Sequence, residues 1–64
     1  MYKYGIAVFL DRAYYGAPED AKFLYDRDDT GDVEMWWIKN SRELYAELAA
    51  LKKMGRRLIK MQGE

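Results

Sequence analysis

Every second residue in the stretch DRDDTGDVE offers an oxygen: Asp26, Asp28, Thr30, Asp32 and Glu34. Gly31 stands at the turning position. This spacing matches the start of a calcium-binding loop, which takes ligands at alternate positions and closes on a bidentate acid at its end. The residue at that closing position is Trp37, which cannot ligate. The flanks also alternate as strands do, whereas the calcium loop sits between two helices. The stretch therefore reads as an acidic hairpin turn, and no metal is expected.

Other chemistry fares no better. Glu19–Asp20 and Asp28–Asp29 are carboxylate pairs, but a general acid/base pair needs acids facing across a cleft, one of them in apolar surroundings. Acids on exposed turns do not meet that condition. Ser41 is the only serine, and the chain has neither histidine nor cysteine. A nucleophile–base triad, a thiolate metal site and a disulfide scaffold are thereby excluded. No phosphate loop, dinucleotide fingerprint or zinc spacing occurs. The expectation is a protein without catalytic residues and without a cofactor.

What the chain does carry is charge in blocks. Residues 11–34 hold eight acids against three bases, and residues 39–64 hold seven bases against three acids, within a net charge of zero. Such asymmetry steers charged partners or is compensated within the molecule. The acidic block is flanked by Tyr14, Tyr15, Tyr25 and Trp36, and aromatic residues anchor protein interfaces. The basic block, Lys52, Lys53, Arg56, Arg57 and Lys60, could contact phosphates or simply offset a helix dipole. It lacks an aromatic platform for bases, with only Gln62 nearby.

These residues need elements to hold them. The chain of 64 residues reads as one domain, 1–64, and half of it is hydrophobic. Tyr2, Tyr4, Ile6, Val8 and Leu10 alternate with Lys3, Gly5, Ala7, Phe9 and Asp11, which predicts a strand over about 2–10 with one buried face. Residues 12–20 read as a loop, broken by Gly16 and Pro18. Pro18-Glu19-Asp20 could also open a helical turn. Lys22–Asp26 and Val33–Ile38 read as second and third strands. Asn40 is a candidate helix cap with Glu43 three residues on. Leu44, Leu48 and Leu51 then recur at helical spacing. That helix either runs to about Met61 or stops at Met54, with Gly55 as its left-handed cap and a fourth strand over 57–61; lysines followed by glycine favour the stop.

The expected fold class is α+β: a small antiparallel sheet of three to four strands, in the order β-β-β-α-β, with one helix on one face. That helix covers the face bearing Ile6, Val8 and Leu10, while Phe9 and one of Trp36 or Trp37 lie on the other. No run is long enough to span a membrane, and the N-terminus lacks the pattern of a signal peptide, so a cytoplasmic protein is expected.

The functional expectation is a small protein-binding inhibitor or regulator. It would occupy a basic, nucleic-acid-binding surface of a larger protein, as a mimic of DNA charge. The expected contacts are Asp26, Asp28, Asp29, Asp32 and Glu34 for charge, and Tyr14, Tyr15 and Trp36 for anchoring. A phage-encoded protein that blocks a host defence complex of the CRISPR kind would fit that size and charge. The alternatives are a nucleic-acid-binding module using residues 52–60, and a small structural homodimer.

Overall fold

In the computed structural model, which describes residues 1–61, four strands form one sheet in the order β3-β1-β2-β4. The elements run β1 (Tyr4–Val8), β2 (Arg12–Gly16), α1 (Pro18–Arg27), β3 (Glu34–Ile38), α2 (Ser41–Lys53) and β4 (Arg57–Lys60). The α+β class and the small four-stranded sheet are as the sequence suggests. The sheet is mixed rather than antiparallel: β1 pairs antiparallel with β2 and β3, and β2 pairs parallel with β4.

Two segments differ from the expected order. Arg12–Gly16 is a strand, not loop. Its adjacent tyrosines point to opposite faces, and both faces are covered, so neither alternation nor a polar side marks it. Lys22–Asp26 is helix, not strand. Pro18 stands in the first turn of α1 with Glu19 and Asp20, where a missing N–H costs nothing and acids meet the helix dipole. Lys22 and Asp26, one turn apart, pair at 2.7 Å.

The two helices lie on opposite faces, and chain direction explains why. β2, β3 and β4 all run antiparallel to β1, so β2-α1-β3 and β3-α2-β4 are both crossovers between parallel strands. The first moves across the sheet one way and the second moves back. Crossovers of this kind are nearly always right-handed, so reversing the direction switches the face.

On one face Ile6, Val8, Ala13 and Ile38 pack against Leu44, Leu48 and Leu51 of α2. On the other, Ala7 and Val33 pack against Ala21 of α1, with Phe9, Tyr14, Leu24 and Met35 around them. Small residues let α1 approach closely: a Cβ on Gly5 would lie 2.9 Å from Ala21 Cβ. The first strand ends at Val8, and Leu10 is 85% exposed at the tip of the β1–β2 turn rather than under α2.

α2 begins and ends as its sequence predicts. Asn40 Oδ1 accepts the Glu43 N–H at 2.8 Å. Gly55 follows with φ of +95°, a conformation costly for other residues, and β4 begins two residues on. Among the described residues no helix is long and apolar enough to cross a membrane.

Candidate functional site

The strand register brings three turns to one end of the sheet. Val8 faces both Ala13 and Glu34, and Arg12 faces Arg57. The acidic α1–β3 loop, the β1–β2 turn and the basic α2–β4 turn therefore lie side by side. The acids stand at the β3 edge and the bases at the β4 edge.

The acidic stretch joins a helix to a strand rather than two strands. It is organised around Asp28, the residue that follows α1. The Asp28 carboxylate accepts the Thr30 hydroxyl at 3.0 Å and the Gly31 N–H at 2.9 Å. Thr30 Oγ1 in turn accepts the Asp32 N–H at 3.2 Å. These are the local side-chain bonds by which Asp and Thr shape turns. Gly31 supplies the positive φ of +76°. Among the described residues no three acids converge as a metal site would require.

The site residues expected from sequence separate into two groups. Asp26, Asp28, Asp29, Asp32 and Glu34 all lie between the last turn of α1 and the first residue of β3. The aromatic residues Tyr14, Tyr15 and Trp36 do not join them. Tyr14 lies on the α1 face beside Phe9, with ring centroids 5.5 Å apart. Tyr15 and Trp36 lie on the α2 face, packed against the core there. Trp36 is tied to the acids only through its indole, which donates to Glu34 Oε1 at 3.3 Å. Tyr14 and Tyr15 are divided between the two faces because neighbours on a strand point to opposite sides.

The aromatic residues that do stand with the acids are Tyr25 and Trp37. Both are substantially exposed, Trp37 at 40%. With Lys22, Val33, Glu34 and Met35 they line a groove of about 420 Å³ between α1 and β3. Tyr25 and Val33 also border a shallower recess with Asp26, Asp28 and Gly31, so groove and acidic loop form one continuous surface. Tyr2 extends it, its ring 5.7 Å from that of Trp37. Lys22 is a cation within the groove, but Asp26 pairs with it.

Sequence reasoning missed this pairing because it read 22–26 as a strand. Helical spacing would have placed Tyr25 on the same side as Lys22, one turn below it, and next to the loop.

The basic edge is built differently. Lys52, Arg56, Arg57 and Leu58 surround a recess of about 280 Å³. Arg56 is partly structural, since its Nε donates to the Phe9 carbonyl at 2.8 Å and ties the turn to the end of β1. Arg12 stands between the two edges. Its guanidinium lies 4.4 Å from the centre of the Phe9 ring. Hydrogen bonds to the Tyr14 hydroxyl and to Asp11 raise its pKa above the ordinary arginine value.

A further recess, between α1 and the end of β4, is lined by Tyr14, Asp20, Phe23, Leu24 and Met61. Asp20 Oδ2 is buried there without a hydrogen-bond partner among the described residues.

No protein-family model, characterised protein or solved structure matches the chain.

Proposed function

We propose that this chain is a non-catalytic protein-binding module that engages a basic surface of a larger protein through its β3 edge. The observation that supports this is the continuity of the acidic loop with an exposed aromatic groove: Glu34 lines the groove with Tyr25 and Trp37, Asp26 and Asp28 border the adjoining recess, and Asp29 and Asp32 belong to the same loop. Spaced carboxylates attract a cationic surface over distance and speed association. Exposed tyrosine and tryptophan then supply desolvated contact area.

Magnitudes argue against simple internal compensation of the charge. β3 and β4 are three strand spacings apart, about 14 Å. That exceeds the screening length of roughly 8 Å at physiological salt. The two edges therefore act on the surroundings as separate charges.

Where the basic surface is a nucleic-acid-binding groove, occupying it makes the chain an inhibitor. We read it as one, in the manner of phage-encoded proteins that block nucleic-acid-binding defence complexes of the CRISPR kind. Size and charge support that step by analogy of class.

The test is affinity capture from a lysate of the source organism, with and without nuclease, beside an Asp29→Asn/Asp32→Asn/Glu34→Gln variant. The side chains of Asp29 and Asp32 make no hydrogen bond among the described residues, and glutamine at 34 keeps an oxygen to accept the Trp36 indole N–H, so this variant is expected to fold. A stoichiometric protein that survives nuclease and is lost with the variant is the expected result. Capture that needs nucleic acid and ignores the variant overturns the reading. It would instead favour the basic edge, where Lys52 and Arg57 flank a recess of their own.

A further inference from the structure

The groove does not end at the surface of a folded layer; it opens along a strand that, among the described residues, has no strand on its other side. Among the described residues β3 pairs only with β1, so the N–H and C=O groups of its alternate residues face outward. Exposed edges of this kind are usually guarded by lysine, proline or a bulge. β4, the other edge, carries Arg57 and Lys60, both exposed. β3 reads EMWWI and carries only Glu34 as a charge. The same five residues thus present a free ladder, an aromatic groove on the α1 side and an acidic rim.

We propose that β3 accepts an extended basic peptide segment of the partner as a fifth strand. This rests on the protein-binding reading above and names the chemistry of what is bound. Main-chain hydrogen bonds to the β3 edge supply the register, as in other strand-addition modes of peptide recognition. Side chains of the added strand alternate between faces. Those on the α1 side enter the groove between Tyr25 and Trp37, which adjoins the recess bordered by Asp26 and Asp28, while the Glu34 carboxylate stands on the other face with the Trp36 indole. Arginine suits that position best. Its planar guanidinium stacks on aromatic faces and pairs with a carboxylate at the same time. Within the chain Arg12 makes such a contact, over the Phe9 ring and paired with Asp11, and Arg27 stands over the Phe23 ring. The acids of the 28–32 loop continue the charge beyond the end of the strand. They favour a segment with further cations there.

The experiment uses the full chain, labelled with ¹⁵N, and an RVRVRVRV peptide. The comparison peptide has the same sequence with N-methyl groups on its fourth and fifth residues. Adjacent N–H groups point to opposite edges of a strand, so this blocks both edges and leaves the charge unchanged. The change is in the peptide, so the folding of the protein does not enter.

The expected result is saturable binding of RVRVRVRV with shifts at the amides of 34–38 and at the Trp37 indole, slowed exchange of the outward β3 amides, and affinity about tenfold weaker for the methylated peptide. Equal binding of both peptides overturns strand addition and leaves the protein-binding reading standing, since charge alone then accounts for contact. Failure of both to bind also overturns the inference; the captured partner still decides the broader reading. β3 shifts that grow with protein concentration alone, with the sedimentation mass of a dimer, would assign the edge to a second copy and overturn it as well.

Discussion

The two edges of the sheet are both short, both end at the same end of the molecule, and carry opposite charge. The β4 edge is closed in three ways. Gly55 turns the chain tightly, Arg56 bonds back to the Phe9 carbonyl, and Arg57 and Lys60 guard the exposed strand. The β3 edge is open. It has a groove beside it, aromatic side chains half in solvent and a ladder with no cationic guard. The difference teaches how net charge can mislead. Zero net charge over the chain hides two charged edges, because the topology sends β3 and β4 to opposite sides of the β1–β2 hairpin.

Ways to break the comparison differ in size. The largest effect comes from a central strand of the sheet. Ile6 is fully buried on β1, and Ile6→Ala is expected to cost about 2–5 kcal/mol. That approaches the whole stability of a domain this small. Both edges should then melt together in a denaturant titration followed by far-ultraviolet dichroism.

Gly5→Ala is expected to cost about 1–3 kcal/mol, because the new methyl meets Ala21 and α1 must move outward. Amide exchange should rise around α1 and the β3 groove and stay unchanged in α2, which separates the open edge from the closed one. Asn40→Ala does the converse. Losing the bond to the Glu43 N–H should lower stability by about 1 kcal/mol, with exchange rising first at the start of α2. Least costly to the fold is Asp29→Asn with Asp32→Asn. These exposed changes should alter stability by within about 0.5 kcal/mol in the same titration, while removing charge from the binding edge.

Much of the scaffold was legible in the sequence because its signals were independent of distant contacts. The alternation of 4–8 within the expected 2–10, the Asn40 cap, the Leu44/Leu48/Leu51 stripe and the Lys-Lys-Met-Gly stop each rest on local geometry. β2 and α1 were not legible, for different reasons. The β1–β2 turn is made by Leu10 and Asp11, which are not turn formers of the Asn-Gly kind. α1 buries only Ala21 fully, so its apolar residues Phe23 and Tyr25 mark its outer surface rather than its core. The periodicity that reveals helices is the periodicity of burial, and this helix buries little. The candidate site inherits the same split. Its acids could be read directly, whereas its aromatic partners required knowing that 22–26 is helical and that Trp37, not Trp36, faces α1.

The central claim is that the open, acidic edge is the working surface. The dissociation constant of the captured partner tests it most directly, measured for the wild type, the Asp29→Asn/Asp32→Asn/Glu34→Gln variant and a Lys52→Gln/Lys53→Gln/Arg57→Gln variant. The account predicts binding weakened by about tenfold to a hundredfold at the acidic edge, and by no more than about twofold at the basic edge. The reverse pattern would contradict it and make the closed edge the one that meets the partner.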